Sequence, residues 1–389
     1  MIGALVRPLA VATGVLTALA LGCSGGPSAR SVAAPPVRID LQPRIVTADE
    51  VTTEAELASR GERALTEQRW QEAVNAYRTL VLAEPGGPHA SEYTFALGLA
   101  FEGLQDRRSA RDTFLDLARR FPDGPKARTA LVRAATLDAY LEDWSALASI
   151  GNAILGRADI DAMDRIVGLG ARGLARVELG DDMPASLDIH DGLDLSDELH
   201  YGARDVLPVA VAQLRFALGE LRRLRSERVA LDPNPSTFLD KLEQRCAGLL
   251  EAQAAYAMAV RSADPHWAAM AGYRVGEMYR TLHQTLTRIG APETSRTERQ
   301  KQIFFAFMHV RYRVLLEKGL REMEQTVALG ERTNDSSPWI VRAREARDEM
   351  QGALAEEKAQ MDKMPFTEDE VKTALDVLKN RKTRQEPGK

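Results

Sequence analysis

Two stretches of this chain align without a gap, and that alignment limits the fold more than any other feature. LASRGERALTEQRWQEAVNAYRTLVLAEP runs from Leu57 to Pro85, and TFALGLAFEGLQDRRSARDTFLDLARRFP from Thr94 to Pro122. Gly61 matches Gly98, Ala73 matches Ala110, Tyr77 matches Phe114, Leu80 matches Leu117 and Pro85 matches Pro122, each pair 37 residues apart. A fixed period of this length marks a stacked repeat, in which no unit buries its apolar face alone. Within each unit the pattern predicts two antiparallel helices. Gly61 and Gly98 let the two backbones approach closely, and Ala73 and Ala110 do the same from the second helix. Tyr77 and Phe114 fill the space toward the next unit. Pro85 and Pro122 stop the second helix, because proline lacks the N–H and clashes with the preceding turn.

Weaker units follow. LVRAATLDAYLEDWSALASIGNAIL, from Leu131, reads as a helix pair with Asp143 and Trp144 near its turn. LGARGLARVELGDDMPASLDIHDGL, from Leu169, restores the pattern through Gly173, Ala185 and Ile189. Between Asp197 and Leu231 longer helices are expected, with Pro208 as a first-turn residue. LLEAQAAYAMAVRSADPHWAAMAGYRVGEMY, Leu249 to Tyr279, again joins a second helix to a first one, with Tyr256, Ala259, Gly276 and Tyr279 in repeat-like positions. Gln300 to Met350 predicts two or three more helices, and Thr367 with Glu370 forms a capping box for a terminal one. Nothing alternates with period two, and no Asn-Gly or Asp-Gly turn joins strand-like runs. The expected fold is therefore all-α: a solenoid of antiparallel helical hairpins.

The small residue at the eighth position, followed by Ala, an aromatic and a final Pro, resembles the tetratricopeptide repeat. The resemblance implies protein partners, because in such repeats the inner, concave face binds peptides or helices. Carried over, that face holds Ala55, Ala58 and Glu62 in the first unit, and Glu92, Phe95, Leu99 and Glu102 in the second. The competing reading is that these side chains pack on a neighbouring helix or on the N-terminal segment. A second resemblance is carried by ADPHWAAMAGYRVGEMY and VRYRVLLEKGLREMEQTVALGERTNDSSPWIVRAREA. Both look like repeat lipoproteins of deltaproteobacterial, myxobacterial-type envelopes, some of which serve envelope-spanning motility or transport machines.

The N-terminus points to the same compartment. MIGALVRPLAVATGVLTALALG carries one positive side chain, Arg7, and then about 15 uncharged residues. That run is shorter than the roughly 20 residues a spanning helix needs, and it fits a secretory signal. Cys23 follows it, preceded by small residues and trailed by Ser24, Gly25 and Gly26. The arrangement resembles a bacterial lipoprotein signal, in which the cysteine is lipidated and becomes the new N-terminus. It departs from the usual motif in having Leu21 second and Ala20 third before the cysteine. Ala18-Leu19-Ala20 is an alternative A-x-A cleavage site, which would leave a soluble periplasmic protein. Ser24 implies outer-membrane sorting, with the chain facing the periplasm. The expected division is a signal (1–22), a disordered tether rich in Pro, Gly, Ser and Ala (23–50), clear repeats (51–157), divergent repeats (158–365), and a capping helix with a basic tail (366–389).

Composition narrows the function classes. Fifty-one Lys and Arg face 56 Asp and Glu, a formal net charge of −5, which offers no general attraction to nucleic acid. Two cysteines exclude a disulfide framework, and Cys246 sits in a helical apolar pattern as a small hydrophobe. Gly168 to Gly173 spells GxGxxG, but the residues before it have helical spacing, whereas a dinucleotide site needs a strand there. The six histidines include no HExxH pair. Asp188, His190, Asp191 and His200 cluster loosely, with neighbours that point apart on a helix. ELRRLRSER, Glu220 to Arg228, reads either as a basic stripe for an acidic partner or as a solvated, ion-paired face. No cofactor, metal, small-molecule substrate or catalytic group is expected. The sequence reads as a non-enzymatic envelope scaffold; a wall hydrolase or other enzyme is the rival of another class.

Overall fold

The structure, a computed structural model, describes residues 53–371 apart from 202–206, 233–236, 263, 293–294, 336 and 368. Cys23 and the stretches expected to form the signal, the tether and the basic tail lie outside these residues. Among the described residues there are thirteen helices and no strand. They are α1 (Glu54–Thr66), α2 (Trp70–Ala83), α3 (Ala90–Gly103), α4 (Arg107–Arg120), α5 (Ala127–Leu141), α6 (Trp144–Leu155), α7 (Ala162–Glu178) and α8 (Asp182–Glu198). The longer α9 (Val209–Glu227), α10 (Phe238–Val260), α11 (Pro265–Thr287), α12 (Glu298–Thr333) and α13 (Pro338–Met361) follow. The fold is all-α, built of helical hairpins packed one on the next.

The first four hairpins share one turn. Gln68, Gln105, Glu142 and Gly180 each take positive φ between the two helices of a hairpin, at 57°, 60°, 59° and 84°. The next residue in each case donates its N–H back across the turn: Arg69 to Ala64, Asp106 to Phe101, Asp143 to Asp138 and Asp181 to Arg176. These bonds satisfy helix-end carbonyls that would otherwise lack partners. Helix starts are secured by side chains. Thr53 and Glu56 form a capping box, and Asp106 and Asp143 accept from Ser109 and Ala146.

Packing within the hairpins follows the small-on-large rule. A Cβ on Gly61 would come within 2.9 Å of the Tyr77 ring, and one on Gly98 within 2.5 Å of the Phe114 ring. Gly173 stands in the same relation to Ile189, again sixteen residues on. The rings also reach forward: Tyr77 lies 6.2 Å from Tyr93 of the next hairpin. Pro85 and Pro122 follow the ends of α2 and α4, and an arginine one hairpin later donates to each proline carbonyl. Arg120 reaches Pro85, and Arg157 reaches Pro122 at 3.0 Å. These two arginines are themselves one repeat apart.

From α9 onward the helices lengthen and the period is lost. Pro208 lies one residue earlier than its expected first-turn place, as the residue that caps α9. The device of glycine under an aromatic survives at Gly219, which sits beneath Tyr256. Gln300 to Met350 holds two helices, α12 and α13. The Thr367–Glu370 capping contacts are present; most of the terminal helix expected after them falls on residues outside the described set.

One feature departs from an array of nearest neighbours. The third hairpin, α5–α6, touches the start of α11 and the start of α13. Tyr140 donates to Asp264, and Arg342 lies 3.1 Å from Glu142. The chain therefore closes on itself across some 120 to 200 residues of sequence.

Candidate functional site

The residues expected on the inner face of the first two hairpins fall into two groups. Glu62 on α1 and Glu92 on α3 are exposed. Phe95, Leu99 and Glu102 on α3 are half-buried. The Phe95 ring packs 5.5 Å from Phe114, with Lys126 Nζ 5.2 Å from its centre. Glu102 accepts from Arg133 of α5 at 2.5 Å, and burial pushes its carboxyl pKa up against the pull of that guanidinium. These side chains thus stitch the second hairpin to the third while keeping part of their surface open.

Glu102 also borders a cavity of about 370 Å³ where the chain closes on itself. Arg107, Tyr140, Asp264, His266 and the turn Thr333–Asp335 line it. Each group has a legible cause. Asp264 caps α11, accepting from the N–H groups of His266 and Trp267 at 2.9 and 3.2 Å. Its other oxygen takes the Tyr140 hydroxyl. The Arg107 guanidinium lies 4.9 Å above the Tyr140 ring, a cation–π contact that orients both. His266 is buried, 4.3 Å from Tyr140 between ring centres, and neither of its ring nitrogens has a hydrogen-bond partner. Burial, helped by the Arg107 charge, pulls its pKa down to about 3, so the ring stays neutral. A neutral imidazole beside Asp264 that makes no bond to it is not set up as a catalytic base, which needs an orienting partner.

A second charged centre ties α7, α9, α10 and α11 together. Glu220 is fully buried. It faces Arg274 at 2.9 Å, the Tyr256 hydroxyl at 2.7 Å, and Arg223. Glu178 approaches Arg274 at 3.9 Å. Burial and the nearby Glu220 charge push the Glu178 carboxyl up to about 7. Glu220 moves the other way, because two guanidiniums outweigh the cost of burying it. Arg274 continues outward to lie 5.3 Å over the Trp339 ring of α13.

The remaining sequence candidates find plain places. The GxGxxG run lies inside α7, where Gly168 faces Leu155, Gly170 faces Leu214 and Gly173 faces Ile189. The glycines serve helix packing, and a helix interior has no spare N–H groups for a phosphate. Asp188 is buried and accepts from both Arg172 and Arg176, at 2.6 to 2.9 Å, while His190 is exposed and turned to its own helix. The Arg222–Arg228 stripe is ion-paired: Arg223 with Glu220 and Glu227, Arg222 with Glu251, Arg225 and Arg228 with Asp182. Burial raises the Cys246 thiol pKa. Sequence reading missed His266, Glu178 and Arg274, whose partners come from helices far apart in the chain.

No family model matches the chain, and no curated protein matches it. Among solved structures it is similar to a tetratricopeptide repeat protein from Parabacteroides merdae ATCC 43184. Identity is 12%, with a TM-score of 0.38 and coverage of 75% of this chain and 98% of that one. The hairpin architecture stands on the turns, caps and packing described above.

Proposed function

We propose that this protein is a non-enzymatic scaffold, anchored in the outer membrane through a lipid on Cys23, that holds protein partners in the periplasm. The observation that carries the reading is the seating of Phe95 between the second and third hairpins, with Glu62 exposed on the first hairpin and Glu92 on the second. Such a surface is preformed, so a partner helix or peptide meets it without paying to order it. The acidic side chains favour a basic or amphipathic partner segment. The lipid would supply location: each buried CH₂ contributes about 0.8 kcal/mol, and several chains give a stable anchor. Residues 23–50 would set the reach, and holding the scaffold near one surface raises the local concentration of what it binds.

Two experiments test the two halves of this reading separately. Metabolic labelling with palmitate should mark the wild type and not Cys23→Ala; no label on the wild type overturns the anchor and favours cleavage after Ala20. Photo-crosslinking in cells from positions 92 and 95 should capture a defined protein. Capture of none at either position overturns the inner-face reading, whatever the anchor does.

A further inference from the structure

Three helices of the C-terminal half bring together a ligand set that no stretch of sequence displays. His283 lies on α11, His309 on α12 and Glu357 on α13. His283 Nε2 and His309 Nδ1 each lie 2.9 Å from the same carboxylate oxygen, Glu357 Oε1. The three ligand atoms lie within 4.8 Å of one another. The side chains of His283 and Glu357 are 6% and 8% exposed, and that of His309 is 29% exposed, so one edge opens to solvent. The other carboxylate oxygen has Arg313 Nε at 3.8 Å.

From this geometry we infer that His283, His309 and Glu357 form a site for one divalent transition-metal ion of the zinc class, clasping α11, α12 and α13. Two imidazoles and a carboxylate are the donors zinc prefers, whereas calcium and magnesium demand oxygen throughout. A tetrahedral zinc holds nitrogen at about 2.0–2.1 Å and carboxylate oxygen at about 2.0–2.2 Å, which sets neighbouring ligand atoms roughly 3.3 Å apart. The nitrogen–oxygen separations need to open by only a few tenths of an ångström. The fourth position is left to water or to a group supplied from outside.

Proton balance is simple. Coordination needs a lone pair on each ligating nitrogen, so a proton carried on that nitrogen passes to the other ring nitrogen or to solvent. No electron changes hands. Arg313 takes the place of an outer partner that steadies the ligating carboxylate. Around the site, Ala306 and Met361, each about one turn from a ligand on its own helix, are buried in a small apolar cluster with Val371.

The test uses the full chain in detergent, metal-stripped, with Zn²⁺ and Co²⁺ as probes. Calorimetric titration should show one Zn²⁺ per chain, Co²⁺ should give the visible bands of a four- or five-coordinate site, and Zn²⁺ should raise the thermal midpoint. His309→Gln, the most exposed ligand, should fold with unchanged helicity, weaken Zn²⁺ at least tenfold and abolish the Co²⁺ bands. Glu357→Gln should do the same where it folds. Binding that survives His309→Gln undiminished, or no stoichiometric binding by the wild type, overturns the proposal.

Discussion

The first two hairpins and the last five helices, α9 to α13, solve one problem with different chemistry. In the first, a glycine on one helix receives an aromatic ring from the other, Gly61 under Tyr77 and Gly98 under Phe114. The contact is dry, local in sequence and repeated. In the last, polar and charged groups hold long helices in place: Glu220 between Arg223 and Arg274, and Glu357 between His283 and His309. Those contacts are remote in sequence and occur once. A periodic array can reuse one packing solution because each unit sees the same neighbour. Where the chain turns back, so that α11 meets α5 and α13 as well as α9 and α12, each junction is unique. Directional polar contacts specify such a junction better than interchangeable apolar ones.

The largest expected effect breaks the dry half. Phe114 is fully buried against Gly98 and Phe95. Phe114→Ala should cost about 3–5 kcal/mol, the usual range for emptying such a site, measured by chemical denaturation. A cost below about 1 kcal/mol would mean the hairpins slide to fill the gap, and the packing device would lose its claim to fix the repeat.

The next test breaks the charged half. Glu220→Leu leaves Arg223 and Arg274 buried without their shared carboxylate and should cost about 3 kcal/mol. The double change Glu220→Leu with Arg274→Met should recover much of that loss, because it removes one stranded guanidinium and the other, Arg223, keeps Glu227 at 2.9 Å. If the double variant is no more stable than the single, the network supplies net stability, and not only the register of α9 against α11.

A pH titration sharpens the contrast. The Glu178 carboxyl, pushed up to about 7 by burial and by Glu220, stays protonated where the unfolded chain has ionised. The folded state then binds the extra proton, so stability falls as pH rises from about 4.5 to about 7 and is level above that. The fall should be on the order of 2 kcal/mol, read from denaturation midpoints, and Glu178→Gln should flatten it. Glu102 of the second hairpin, whose carboxyl burial also pushes up, acts in the same direction, so a slope that survives Glu178→Gln comes from outside the Glu178–Glu220 pair.

How much was legible from sequence follows the same division. Residues 57 to 122 could be read directly, since Gly61 and Tyr77 stand sixteen apart in one hairpin and recur a fixed period later. The repeat register assigned Phe95 to the inner face as an expectation, but its seat under Lys126 and against Phe114 could not be read, because a period does not say what covers a residue. Tyr140 with Asp264 and His283 with Glu357 were invisible. Each pairs residues on helices that only the closing of the chain brings together, and no periodicity carries that information. The lone histidines looked inert for the same reason: a ligand set spread over three helices leaves no spacing to find.

The smallest effect tests the turn that the first four hairpins share. Gln68 and Gly180 occupy equivalent positions, both with positive φ. A side chain in that conformation costs roughly 1–2 kcal/mol, which glycine avoids at an entropic cost of about 0.5–1 kcal/mol. Gln68→Gly should therefore stabilise the chain slightly, by about 0.5 kcal/mol. Gly180→Ala should destabilise it by about 1 kcal/mol, although a Cβ there meets nothing within 4 Å, so the cost is backbone strain alone. Opposite signs at the two positions, read from thermal midpoints, identify one turn geometry used four times. Equal signs would mean that the first and fourth hairpins turn differently in solution, and that the regular part of the array ends earlier than α8.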